Sequence, residues 1–91
     1  MASERAFGGI SRTVFDAIQV ASRRDHGTAY VPPGSDTGQA VTDTPVGQVV
    51  LDFAFDETAQ TVSYTIAKKP FVVTEGEVWS GIQSTIDACK A

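Results

Sequence analysis

One cysteine and one histidine, Cys89 and His26, are the residues of this sequence best suited to nucleophilic chemistry. A thiol becomes a strong nucleophile when a neighbouring base takes its proton, so such a pair could form a catalytic dyad. Cys89, however, falls on the apolar stripe of a predicted helix, where free cysteines are commonly inert. His26 follows another predicted helix, where an imidazolium suits the carbonyl end of the helix dipole. We therefore interpret these two residues as packing and capping residues.

The string Asp36–Gly38 reads Asp-Thr-Gly, which carries the catalytic aspartate in aspartic proteases, where two carboxylates share one proton. In that setting an apolar strand runs directly into the aspartate, whereas here the string follows Pro-Pro-Gly-Ser. Helices predicted near both ends of the chain also conflict with an almost all-β protein. We interpret the string as a set of turn-forming residues. The sequence predicts no catalytic residue.

The composition offers few residues that could form a metal or cofactor site. A structural zinc site needs four nitrogen or sulfur ligands, and the chain has one histidine and one cysteine. The acidic residues Asp52, Asp56 and Glu57 follow no calcium-loop pattern. The glycine-rich residues 34–38 lack the lysine and the strand-to-helix context of a phosphate-binding loop. We expect no metal ion and no cofactor.

The charge and the apolar content limit the partners that we expect. The formal net charge is −4, which disfavours nucleic acid because binding to it depends on clustered Lys and Arg. No apolar run approaches the roughly 18 residues that cross a bilayer, so we expect no membrane partner. A single cysteine cannot form an intramolecular disulfide, and the N-terminus lacks the apolar stretch of a signal peptide. These features favour the cytoplasm.

Two helices are predicted from apolar residues at helical spacing. The first should begin after Ser11, a suitable N-cap, and end at Gly27, which can adopt a left-handed conformation. The second should begin after Thr74, which forms a capping-box pattern with Glu77. The apolar stripe of the second helix consists of Val78, Trp79, Ile82, Ile86 and Cys89.

Strands are predicted from alternation of apolar and polar residues. Residues 46–56 and 62–67 alternate on both sides of a short polar turn, which is typical of an antiparallel hairpin. Thr28–Val31 reads as a short strand that Pro32 ends. We expect residues 32–45, rich in Gly, Ser, Asp, Thr and Pro, to form a long loop, and residues 1–10 to be a frayed lead-in.

These elements predict an α+β fold, a two-layer sandwich formed by a single domain over residues 1–91. Its order is N-terminal helix, short strand, long loop, antiparallel β-hairpin and C-terminal helix. Both helices should lie on one face of a three- or four-stranded antiparallel sheet, because each has one apolar stripe to bury.

Three classes of function remain open. The first hypothesis is a small non-catalytic interaction or self-associating module that uses the Thr28–Val31 sheet edge and Trp79 to bind a protein partner. The alternative is a small-molecule-binding protein in which the 32–45 loop acts as a flap beside Tyr30, Trp79 and Phe71. Trp79 suits either the core or a contact with a partner. An enzyme is the third class. Tyr30, Trp79 and Phe71 are the candidate binding residues.

Overall fold

The computed structural model describes residues 3–90. Seven elements follow one another along the chain: β1 (Glu4–Phe7), α1 (Arg12–His26), β2 (Ala29–Val31), β3 (Thr37–Thr44), β4 (Gly47–Asp56), β5 (Thr61–Lys68) and α2 (Glu75–Lys90). The strands form one antiparallel sheet in the order β1-β5-β4-β3-β2. The α+β class, the hairpin and the two terminal helices are confirmed. The sheet has five strands where the sequence predicted three or four.

The additional strand β1 corrects the expectation of a frayed lead-in over residues 1–10, of which residues 1 and 2 lie outside the described part. It pairs with β5 along the sheet edge, with Glu4 opposite Thr65 and Phe7 opposite Val62. Only its last residue, Phe7, is buried. Four residues with one buried side chain are too few to show an alternating pattern, so this strand has no recognisable signal in the sequence.

The second additional strand, β3, occupies most of the segment that was expected to be the 32–45 loop. It lies between β2 and β4, and residues 32–36 alone remain as the connection from β2. Its core-facing residues are small, with Ala40 opposite Leu51 and Thr42 opposite Val49. Because its other face is polar and partly exposed, the strand lacks the strong apolar alternation that identified β4 and β5.

The helix ends agree with the capping residues that the sequence indicated. Ser11 Oγ accepts a hydrogen bond from the Val14 amide at 3.2 Å, and Gly27 ends α1 with φ +68°. Thr74 Oγ1 accepts a hydrogen bond from the Glu77 amide at 3.1 Å. The hydroxyl contacts of Ser11 and Thr74 satisfy backbone donors that have no partner within the helix, and so they fix where each helix begins.

A single apolar cluster lies between the sheet and the two helices. Phe15 and Ile18 of α1 and Trp79 and Ile86 of α2 pack onto the same face of the sheet. That face presents Val49, Leu51, Phe53 and Phe55 of β4 and Val62, Tyr64 and Ile66 of β5. Residues 3–90 contain no helix that is both long and apolar enough to cross a membrane.

Candidate functional site

A cleft of about 340 Å³ lies between the two helices and the helix-covered face of the sheet. We call it the inter-helix cleft. The C-terminal half of α1 and the first three turns of α2 form its sides, with Ile18, Ser22, His26, Glu77, Val78, Gly81, Ile82 and Thr85. The sheet and its connections contribute Thr28, Tyr30, Ala40, Thr42, Thr44, Val49, Leu51, Tyr64 and Val73. Its walls are mainly apolar.

Small residues keep this cleft open. Gly81 of α2 lines it, and a Cβ atom placed on Gly81 would meet no atom within 4 Å. On the opposite side, the fully buried Ala40 and the neighbouring Thr42 provide the surface of β3. Larger apolar residues at these positions would fill the space, as they do where Phe15 packs on Phe55.

Two pairs of hydroxyl groups lie within the inter-helix cleft. The Tyr30 and Tyr64 hydroxyl oxygens are 2.8 Å apart, and Thr28 Oγ1 lies 2.6 Å from Thr42 Oγ1. The residues come from different elements: Thr28 follows the end of α1, Tyr30 lies on β2, Thr42 on β3 and Tyr64 on β5. Ser22 of α1 is a further buried hydroxyl in the cleft. We call these five residues the hydroxyl cluster.

Burial controls the ionisation of both tyrosines. Loss of solvent raises the pKa of Tyr30, and its hydrogen bonds with Tyr64 and Ser22 offset part of this effect. Loss of solvent also raises the pKa of Tyr64 far above its usual value, and the neighbouring Tyr30 raises it further. Because the charged form of each phenol is disfavoured, both hydroxyls keep their protons at neutral pH.

We expect neither tyrosine to ionise near pH 10 while the protein remains folded. These are the chain's two tyrosines, so tyrosinate absorbance in a pH titration reports on this pair alone. The folded-state pKa lies above the unfolded value of about 10, so the protonated tyrosines contribute their full stabilisation of the native state below pH 10. That stability is lost as the pH rises through the raised pKa. The same titration in denaturant should give the ordinary value, and a folded protein that titrates near 10 would contradict the burial of the pair.

The structure places the three predicted binding residues in different surroundings. Tyr30 lines the inter-helix cleft. Trp79 is outside the cleft lining and buried in the core, where its Nε1 donates a hydrogen bond to Ser3 Oγ at 3.0 Å. The Arg5 guanidinium lies over its ring, 5.5 Å from the centroid. Phe71 lies in the connection between β5 and α2 and is 98% exposed. The three residues therefore do not form one site.

The flap expected from residues 32–45 is also corrected. Residues 37–44 are a strand within the sheet, hydrogen-bonded on both sides, and cannot close over the cleft. Instead, β3 forms part of the cleft floor through Ala40, Thr42 and Thr44. The flap was expected because residues 32–45 have the composition of a loop. The same small and polar residues also suit a strand whose core face borders an open space.

Four residues of the hydroxyl cluster were missed: Ser22, Thr28, Thr42 and Tyr64. The sequence carried one signal for them. Tyr64 alternates with Val62 and Ile66 on the apolar face of β5, and a buried tyrosine hydroxyl requires a hydrogen-bond partner. That requirement points to a second polar group in the core, although it does not identify Tyr30.

The residues considered for catalysis have structural contacts. Asp36 accepts two hydrogen bonds from the Arg12 guanidinium, at 2.7 and 2.9 Å, and this ion pair lowers the pKa of the Asp36 carboxyl. His26 lies at the end of α1, on the cleft lining. Cys89 packs against the core from α2 and borders a separate groove between the helices. Within residues 3–90, no group of three or more His, Cys, Asp or Glu side chains could hold a metal ion.

Comparison with known proteins adds no relative. The chain matches no protein-family model, no curated protein and no solved structure. The interpretation of function therefore depends on the chemistry of the inter-helix cleft.

Proposed function

We propose that this protein binds a small, mainly apolar molecule in the inter-helix cleft, without catalysing a reaction on it. The observation that carries the proposal is an apolar cleft of about 340 Å³ with a cluster of part-buried hydroxyls in its lining. Ligand sites in proteins are typically apolar cavities of roughly 300–1,000 Å³ with a few polar groups that orient the ligand. The cleft falls within this range.

The titratable groups of the cleft favour binding over catalysis. Tyr30 and Tyr64 stay protonated, so neither serves as a general base near neutral pH. His26 and Glu77, the other titratable residues of the lining, are exposed. Exposed groups can exchange protons with solvent but do not enclose a reacting atom. These features support a site that holds a ligand.

An interaction module is the second candidate, and a different observation supports it. Val46, Phe71 and Val72 are 57, 98 and 65% exposed, and Phe71 stands fully in solvent. They lie within two residues of the cleft-lining Thr44 and Val73, beside the cleft. Exposed apolar side chains of this kind favour a contact with another protein or a second copy of the chain. Both candidate functions are compatible with the cytoplasmic location that the single cysteine suggests.

The neutral dye N-phenyl-1-naphthylamine tests the first proposal, because its fluorescence rises when it leaves water for an apolar site. We expect the wild-type protein to bind the dye and Gly81→Phe to weaken binding at least tenfold. The new side chain would enter the open space beside Gly81 without a backbone clash. Phenylalanine is also a better helix former than glycine, so this variant should fold.

Two control variants make the outcome specific. Ser80→Phe adds the same aromatic ring at a neighbouring exposed position outside the cleft lining, and should leave dye binding unchanged. Phe71→Ser should also leave it unchanged if the dye occupies the cleft. Dye binding that survives Gly81→Phe and disappears with Phe71→Ser would refute the cleft proposal. It would show that the exposed apolar residues are the binding surface, as the second candidate requires.

A further inference from the structure

The hydroxyl cluster contains protons that its own hydrogen bonds do not use. Each hydroxyl has one proton to donate and two lone pairs that accept. The bond between Tyr30 and Tyr64 uses one of their two protons. Ser22 adds a third proton, and its own hydrogen bond with Tyr30 uses one more, so three protons serve two bonds. Within the described structure, no side-chain hydrogen bond joins Tyr30 or Tyr64 to a backbone carbonyl. At least one donor of this group is therefore available to a molecule in the cleft.

Spare protons and spare lone pairs have different consequences. Proteins often leave the second lone pair of a buried oxygen without a partner, whereas a buried donor without an acceptor is rare. Tyr64 is 1% exposed and Tyr30 is half-buried, so bulk water does not surround this pair. A phenol is also a stronger acid, and hence a better hydrogen-bond donor, than the alcohol of threonine. The tyrosine pair thus favours an acceptor on the ligand.

Charge in the cleft lining restricts the ligand further. Its lining includes no lysine or arginine, and its two ionisable side chains other than the tyrosines, His26 and Glu77, are exposed. An anionic ligand at the tyrosine pair would lose its hydration without gaining a buried cation. A cationic ligand there would meet no buried carboxylate. Burying an unpaired charge is costly, so an uncharged molecule suits this site.

We infer that the ligand is an uncharged, mainly apolar molecule with an oxygen acceptor, such as a ketone or ester carbonyl, that accepts a hydrogen bond from the Tyr30–Tyr64 pair. This inference rests on the proposed function of the inter-helix cleft. The apolar part of the ligand contacts Ile18, Leu51 and Ile82, and the carbonyl oxygen lies against the tyrosine hydroxyls.

Three probes with one ring system test the inference: naphthalene, 1-acetylnaphthalene and 1-naphthoate. Each is used to displace N-phenyl-1-naphthylamine from the full chain. We expect 1-acetylnaphthalene to bind about five- to tenfold more tightly than naphthalene, as one neutral hydrogen bond allows. The carboxylate of 1-naphthoate should make it the weakest of the three.

Paired variants then assign the donor. Tyr30→Phe with Tyr64→Phe removes both hydroxyls while keeping both rings, which limits the effect on folding because neither tyrosine hydroxyl is left without the other. This double variant should still bind naphthalene and lose the preference for 1-acetylnaphthalene. Thr28→Val with Thr42→Val is the matched control and should keep the preference. If the threonine variant loses the preference and the tyrosine variant keeps it, the assignment to the tyrosine pair is wrong.

The failures of the two proposals can be distinguished. If all three probes displace the dye with equal affinity, or 1-naphthoate binds best, the inference about the ligand fails while the cleft remains a binding site. If no probe displaces the dye and Gly81→Phe has no effect on dye binding, the proposed function itself fails.

Discussion

Replacing Phe15 with alanine should lower the free energy of unfolding by about 3–5 kcal/mol, the cost typical of a deleted buried aromatic ring. Phe15 is fully buried and connects α1 to the sheet. Its ring stacks on that of Phe55 at 4.4 Å between centroids and also contacts the rings of Phe53 and Tyr30 at 5.9 and 6.2 Å. The substitution would remove a shared neighbour of three other aromatic rings, which cannot all move into the vacated space.

Urea denaturation followed by Trp79 fluorescence measures this loss. A domain of this size has a total stability of about 5–10 kcal/mol, so Phe15→Ala should leave little of it at room temperature. Val20→Ala, on the same helix but 65% exposed, is the control and should change stability by less than about 0.5 kcal/mol. Similar losses for the two variants would mean that α1 does not hold the core in the way described.

Replacing Gly38 with alanine should cost about 3 kcal/mol, through the backbone and not through the core. Gly38 lies on β3 with φ +150°, a conformation that residues with a side chain rarely adopt. A Cβ atom at this position would overlap the carbonyl oxygen of Val31 and lie 3.0 Å from Pro32 Cδ. Since these are atoms of the backbone and of a proline ring, no change of rotamer relieves the overlap.

A second glycine separates the effect of the overlap from the effect of conformation. Gly34 also has a positive φ, +76°, but a Cβ atom there would meet nothing within 4 Å. Gly34→Ala should therefore cost about 1 kcal/mol, which reflects the left-handed conformation alone. Thermal denaturation of the two variants measures the difference. Equal losses would show that the close approach of β2 and β3 at Gly38 adds nothing to the requirement for glycine.

The parts of the fold that could be predicted are those that local sequence determines. The β4–β5 hairpin followed from period-two alternation because one face is buried and the other exposed along both strands. The helix ends followed from Ser11, Gly27 and Thr74 because capping contacts span only three or four residues. In both cases the information lies close to the element that it determines.

The strands β1 and β3 depend on neighbours that the local sequence does not reveal. β3 presents Gly38, Ala40 and Thr42 to the core, and such residues become strand only because β2 and β4 pair on both sides. The inter-helix cleft is still harder to predict. It depends on how two helices sit over the sheet, and its tyrosine pair joins residues 34 positions apart. Tyr30 was identified from the sequence as a candidate, whereas its partner Tyr64 was not.

The strand order has a consequence for how the chain reaches this structure. Strands β2 to β5 are neighbours both in sequence and in the sheet, so each pairing closes only a short loop. β1 instead pairs with β5, which lies at the opposite end of the strand series in sequence. Closing that long loop carries a larger entropic cost before any contact repays it. We therefore expect the four-stranded meander to assemble early and the first strand to join it late.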